Sequence, residues 1–223
     1  MFSLALLSSA ALAIGAYAQS SVPLTDTSTG MAITYQAYSD PFWNITIGFS
    51  LPEPNSFPNE FIGLISFPES YSYAGISLGS EGMVYGLLLG AWSTGEGVPG
   101  IVSPRYTTEY VYPDVFFGPQ ISVIRTSTTN ATRTTLNFRC QNCTSWTDGS
   151  LDPTSTSAFM SFAVATEAAS VIDPTDVASD LLPHNPNDIN FFTVDLASAQ
   201  SSDYTNIINF LNNNHLLNNV EEL

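Results

Sequence analysis

Nine short apolar and β-branched runs recur along the chain, each bounded by turn-forming residues. They are MAITYQAY (31–38), WNITIGFSL (43–51), EFIGLISF (60–67), YAGISLG (73–79), YGLLLGAW (85–92), ISVIRTST (121–128), TTLNFRC (134–140), AFMSFAVA (158–165) and FFTVD (191–195). Several alternate with a period of two, the mark of a strand with one buried face. No helical pattern intervenes between them, and 14 Pro and 14 Gly supply the turns. The spacing predicts an all-β chain folded as an antiparallel sandwich. Residues 203–223 differ. Ile207, Ile208, Phe210 and Leu211 sit at partly helical spacing behind a candidate N-cap, Asp203, and the Asn-rich remainder reads as a short, frayed C-terminal tail.

The first residues, MFSLALLSSAALAIGAYAQS, hold a short apolar run followed by Ala16-Tyr17-Ala18. This is the pattern of a secretory signal peptide spanning residues 1–18. The run is too short for a transmembrane helix. The expectation is a secreted, extracellular protein beginning near Gln19, with one domain over 19–202 and the tail over 203–223. About 205 mature residues suffice for one large β domain with a sizeable core.

Charge narrows the partners. Four Lys+Arg, all arginine, stand against 20 Asp+Glu, for a formal net charge of −16. Phosphate backbones need cations, so nucleic acid is excluded as a partner, and an anionic membrane surface is disfavoured. Only 11% of residues are charged, so Ser, Thr, Asn and Gln must cover much of the surface. Three sequons, at Asn44, Asn130 and Asn142, fit a secreted glycoprotein.

Cys140 and Cys143 lie in FRCQNCTSW. A thioredoxin-like motif would need a βαβ context. Covalent haem attachment would need His where Thr144 stands, and zinc would need two more ligands nearby. In an oxidising compartment the pair is expected to form a disulfide that pins a turn.

No H-E-x-x-H or phosphate loop is present, and the acidic residues show no catalytic pair. The scarce donors are more informative. There are two histidines, and four methionines including the initiator. On their own, Met83 would be a core residue at a strand end and His184, between Pro183 and Pro186, a surface loop residue. Met160 reads as core and His215 as solvated. If Met83 and His184 reach one pocket, they form the axial set of an electron-transfer haem iron, with no open coordination position.

The blocks FIGLISFP, YSYAGISLGSEGMVYGLLLGAW, PRYTTEYVYP, FRCQNCTSW and DPTDVASDLLPH with FFTVDLASAQSSDY, in that order over roughly residues 30–205, resemble the cytochrome domain of fungal cellobiose dehydrogenases. That family is also grouped as DOMON-like iron-reductase cytochrome domains. The resemblance implies an immunoglobulin-like β-sandwich holding one non-covalent haem b. It implies Met83 and His184 as axial ligands and Tyr110 as a contact to a haem propionate. Arg105 is a further candidate for that propionate, or else makes a surface ion pair. Leu87, Leu88, Leu89 and Trp92 would wall the haem slot. Asp188 or a backbone carbonyl would take the second nitrogen of His184. Two departures from the family pattern lie beside these ligands: a longer loop between Gly79 and Met83, and a longer segment between His184 and Phe191.

The function implied is single-electron transfer between a flavoenzyme or small reductant and an acceptor such as a copper polysaccharide monooxygenase, ferric iron or a quinone. No flavin dehydrogenase domain is visible in the sequence, so the expectation is an electron shuttle and not a complete enzyme. Two other readings remain open. One is a haem-free carbohydrate-binding module stacking sugar on Trp43, Tyr71 and Tyr73. The other is a structural or assembly cytochrome that self-associates through residues 203–223.

Overall fold

The computed structural model describes residues 21–219 apart from Asn55, Pro58 and Glu81. The expected signal peptide lies outside the described residues. In chain order the elements are β1 (Val22–Asp26), β2 (Ile33–Asp40), β3 (Ile45–Pro52), β4 (Glu60–Pro68), β5 (Tyr73–Leu78), β6 (Leu87–Trp92), β7 (Ile101–Tyr106), β8 (Asp114–Val115) and β9 (Gln120–Ile124). They continue with β10 (Thr128–Thr129), β11 (Arg133–Gln141), β12 (Ser145–Trp146), β13 (Gly149–Ser150), β14 (Ala158–Ala165), β15 (Ile189–Val194), β16 (Gln200–Ser201), α1 (Tyr204–Asn213) and β17 (Leu217–Asn219).

Two sheets form the sandwich. One has nine strands, ordered β1-β2-β3-β4-β11-β9-β17, with β10 on β11 and β16 on β3. The other has six, ordered β15-β14-β5-β6-β7-β8. Every pairing in these sheets is antiparallel except the short β16–β3 contact. The main core lies between the sheets, where Ile47, Phe49, Ile65, Phe67 and Phe138 meet Ile76, Leu78, Leu87, Leu89, Phe162 and Phe192.

β4 is apolar on both faces, and the fold covers both. Phe61, Ile65 and Phe67 point into the sandwich. Ile62 and Leu64 point outward, beneath α1. That helix buries Tyr204, Ile207, Ile208 and Leu211 against Ile33, Tyr35 and Ile124. At about 1.5–3 kcal/mol per large apolar side chain, this docking is a substantial part of the stability. Asp203 occupies the N-cap position, but its carboxylate makes no capping hydrogen bond. Instead it accepts from the Asn206 amide. The helix ends in a Schellman motif: His215 N–H bonds Asn212 O and Leu216 N–H bonds Leu211 O, with exposed His215 at φ 53°. β17 then pairs with β9. The tail over 203–219 is therefore docked, not frayed, and its apolar face is used within the chain.

Cys140 and Cys143 form a disulfide, fully buried at the end of β11. Cys143 N–H donates to Asn59 O at 2.9 Å, which ties this turn to the loop before β4.

Candidate functional site

The six-stranded sheet turns its inner face to the core. Its outer face carries unusually small residues. In β5, Ala74, Ile76 and Leu78 face inward, so Tyr73, Gly75 and Ser77 face outward. Pairing lines these up with their neighbours in two rows across the sheet. One row is Phe191–Ser161–Ser77–Leu88–Arg105, and the other is Ile189–Ala163–Gly75–Gly90–Ser103. The middle of each row is Gly, Ala or Ser; Phe191 and Ile189 stand at one end and Leu88 with Arg105 at the other end of the first row. A Cβ on Gly90 would approach a Leu181 methyl to 3.0 Å, so any larger residue there would push into the wall. The result is a flat floor between raised edges.

Three loops roof this floor and enclose a cavity of about 780 Å³ lined by Met83, Leu88, Arg105, Tyr110, Leu181, His184, Ile189 and Phe191, among others. This volume lies within the range of cofactor pockets. The cavity brings together all four residues proposed from sequence as haem contacts.

The Met83 loop is held at several points. Ser77 Oγ–H donates to Gly82 O, and Ser80 Oγ–H donates to Val84 O. Trp146 Nε1–H donates to Tyr85 O, and Tyr85 N–H donates to Thr107 O, each at 2.9 Å. Tyr85 adopts φ 64°, a left-handed conformation that these contacts sustain. Met83 itself is half-buried.

The His184 loop is fixed as firmly. Tyr73, buried, donates its hydroxyl to Leu182 O at 2.9 Å, and burial pushes that phenol up to about 12, so it stays a donor. The turn Asn185–Asp188, with Pro186 second, closes through Asp188 N–H to Asn185 O at 2.9 Å. The same Asn185 oxygen lies 2.7 Å from His184 Nδ1. Asp188 is not the partner of His184. Its carboxylate accepts from Thr166 Oγ–H, and its own carbonyl accepts from Val164 N–H. A hydrogen on Nδ1 donated to Asn185 leaves the Nε2 lone pair free for a metal.

Arg105 makes no surface ion pair. It is 3% exposed, and its guanidinium is surrounded by oxygens of neutral groups. Nε–H donates to Ser103 Oγ, one Nη2 reaches both Val177 O and Ser179 O, and Nη1 reaches Pro113 O. Four of its five N–H donors are thus used, and no carboxylate touches it. Burial lowers its pKa, partly offset by Asp180, Asp176 and Asp114. Among the described residues the ion pair within 4 Å is elsewhere, between Arg139 and Glu60. A buried cation beside an apolar cavity, with one donor left, suits an anionic group on whatever fills the cavity.

Tyr110 is 85% exposed, at the mouth. Its hydroxyl reaches to 4.0 Å from where a Cβ of Gly82 would lie, across from the Met83 loop. Of the apolar wall expected from sequence, Leu88 alone faces the cavity. Leu87 and Leu89 face the inner core, and Trp92 is fully buried on the outer face beside Gly90, outside the cavity lining, with its Nε1–H donating to Pro174 O. The sugar platform expected from Trp43, Tyr71 and Tyr73 is not formed. Tyr73 is buried, and Trp43 and Tyr71 are half-buried, joined by a bond from Tyr71 Oη–H to Trp43 O.

The donor chemistry sets what fits. Among the described residues no group of three or more His, Cys, Asp or Glu could hold a bare ion. The cavity offers one thioether and one imidazole, a donor set that would suit an iron already held in a flat macrocycle. The flat floor, the apolar edges and Arg105 suit such a group and its carboxylates.

Residues 24–206 match the family model described as the cytochrome domain of cellobiose dehydrogenase. The chain belongs to that family. It is a cytochrome domain of the cellobiose and pyranose dehydrogenase type, which makes electron transfer through haem its general role. The chain is 33% identical over 165 residues to a pyrroloquinoline quinone-dependent pyranose dehydrogenase of Coprinopsis cinerea, matching 72% of this chain and 22% of that protein. It therefore spans under a quarter of the length of that relative. Two solved structures are similar. The cytochrome b domain of pyranose dehydrogenase from Coprinopsis cinerea has a TM-score of 0.75 at 28% identity, covering 86% of this chain and 96% of that one. The cytochrome domain of Myriococcum thermophilum cellobiose dehydrogenase has a TM-score of 0.73 at 27% identity, covering 85% and 96%.

Sequence reasoning missed the floor of the cytochrome cavity. The signal was present: outward positions of β5, β6 and β14 that hold Gly, Ser and Ala where a solvated strand would carry charge or Thr.

Proposed function

We propose that this cytochrome domain holds a non-covalent b-type haem between Met83 and His184 and passes single electrons outside the cell. The observation that carries the reading is the convergence of Met83, His184, Arg105 and Tyr110 on one cavity of about 780 Å³. When bound, haem supplies an iron that changes oxidation state by one electron without an open coordination position.

The protein's part is to bind and tune. Met83 offers a soft sulfur that favours the ferrous state and so raises the potential. His184, oriented through Asn185 O, offers Nε2. Arg105, with its remaining Nη1 hydrogen, and Tyr110, with its hydroxyl, would hold the carboxylates of the group. The loops bearing Met83 and His184 are tied to the sheet, so the two donors need little rearrangement on electron transfer.

Electrons would come from a sugar-oxidising dehydrogenase, using flavin or pyrroloquinoline quinone, or from a small reductant. They would leave to a copper polysaccharide monooxygenase, ferric iron or a quinone. The net charge of −16 steers the domain to partners with cationic patches. The N-terminal segment and the exposed sequons at Asn44, Asn130 and Asn142 support secretion. Stopped-flow mixing of the oxidised, haem-loaded protein with a reduced sugar dehydrogenase tests the role. Reduction of the haem at a rate that falls with ionic strength is expected; a protein that stays oxidised argues against it.

A further inference from the structure

We propose that Asn44 carries an N-linked glycan whose first sugar packs on Phe42 and Trp43 at the turn between β2 and β3. This rests on passage through a secretory pathway, as in the reading above, but not on the haem.

The turn is tight: β2 ends at Asp40 and β3 begins at Ile45. Asp40 organises it, its carboxylate accepting from Phe42 N–H and Trp43 N–H, from Tyr38 Oη–H and from Asn190 Nδ2–H. The effect is to present Phe42 80% exposed, edge-to-face with Trp43 at 4.8 Å between centroids. Nothing within the described chain covers that ring. Covering such a ring removes apolar surface from water, which is favourable.

The sequon supplies the cover. Asn44 follows Phe42 by two residues, with Thr46 two further on. Asn44 is exposed at φ 50°, and its amide is already oriented: Arg133 Nη1 donates to both Asn44 Oδ1 and Asn44 O at 3.0 Å. Arg133 is anchored in turn on Ser66, through its hydroxyl and its carbonyl. Oδ1 is thus fixed, while Nδ2 has no hydrogen-bond partner among the described residues and is the atom to be modified. In the transfer, Nδ2 forms a bond to the anomeric carbon of a lipid-diphosphate-linked N-acetylglucosamine. The bond from that carbon to the diphosphate oxygen breaks, the diphosphate leaves with the electron pair, and one Nδ2 hydrogen leaves as a proton. The Arg133–Oδ1 bond survives, so the glycan leaves the turn in one direction, beside the two rings. The C–H face of a pyranose is apolar and stacks on aromatic faces.

The other two sequons lack this arrangement. Asn142 donates Nδ2 to Gly118 O, and it lies inside the Cys140–Cys143 loop. Asn130 closes an Asx turn with Thr132 and Arg133, with no aromatic residue within two positions.

The test is to secrete the full chain from a eukaryotic cell behind a heterologous leader, so that the action of its own N-terminus is not at issue. Mass mapping after amidase release in heavy-oxygen water reads occupancy. The expected result is a modified Asn44. Thermal unfolding is then compared with and without glycan, in wild type and in Phe42→Ala. The Asn-to-Asp change caused by release is common to both backgrounds. Wild type should lose about 2–4 °C of Tm on release, the size of one modest contact in a chain of this length. Phe42→Ala should lose markedly less. A bare Asn44, whatever Asn130 shows, overturns the proposal, as does an equal loss in both backgrounds. Haem binding, read separately from the visible spectrum, is untouched by either result.

Discussion

His184 Nδ1 lies 2.7 Å from Asn185 O, the same oxygen that closes the turn by accepting Asp188 N–H. The backbone, not a carboxylate, therefore sets the tautomer of His184. His184→Ala should largely abolish haem retention, measured as the ratio of Soret to protein absorbance after gel filtration. Asp188→Asn should keep haem. Its cost should be to folding, about 1 kcal/mol for the weakened bond from Thr166.

Met83 is half-buried on a loop fixed by its neighbours' hydrogen bonds. Met83→Ala removes the thioether without disturbing those bonds. The expected product is a folded protein with high-spin, weakly held haem and a lowered reduction potential, read by visible spectroscopy and redox titration. A wild-type spectrum would remove Met83 from the iron.

Arg105 carries charge and also staples three backbone carbonyls. Arg105→Met should destabilise the fold by about 2–4 kcal/mol, since Val177 O and Ser179 O lose their donor. It should also shift the reduction equilibrium towards ferric haem by on the order of tenfold, about 59 mV for one electron. Arg105→Lys keeps the charge but not the fork. It should restore most of the potential and little of the stability. Equal potentials in all three proteins would exclude an electrostatic role.

Asp40 predicts an acid limit. Burial would raise its carboxyl, but hydrogen bonds from Trp43 N–H, Asn190, Tyr38 and Phe42 N–H outweigh it and hold the pKa below the ordinary aspartate value. A lowered folded pKa adds stability that is fully present above the unfolded value and lost as pH falls through the folded one. Asp40→Asn should cost about 1–3 kcal/mol at pH 7. That difference should shrink below about pH 4. Urea unfolding at pH 7 and pH 3 checks both.

Leu211 is fully buried between α1 and the large sheet. Leu211→Ala should destabilise the whole domain by about 2–5 kcal/mol in chemical denaturation. A free tail would leave stability unchanged.

Much of this architecture is legible in the sequence because period-two runs declare strands. All nine runs became strands, and AFMSFAVA coincides with β14 residue for residue. β1 was missed because VPLTD is exposed and carries Pro23, and β7 because Ser103, Pro104 and Arg105 break its apolar pattern. β17 was hidden in Asn-rich sequence, since its pairing depends on α1 delivering it to β9. At the site, Met83 and His184 stood out by scarcity. The cavity floor did not, because Gly75, Gly90 and Ser77 matter through cross-strand register, which no single segment encodes. Arg105 was read as a haem contact or a surface ion pair. Its burial came from the carbonyls of the 177–179 loop, more than 70 residues away in sequence.

The most direct test of the central claim is the visible spectrum of the haem-loaded wild-type protein, oxidised and then dithionite-reduced. A low-spin b-type spectrum in both states, with sharp α and β bands on reduction, is predicted for an iron held by Met83 and His184. A high-spin spectrum in either state, or no Soret band after haemin is added, would contradict it.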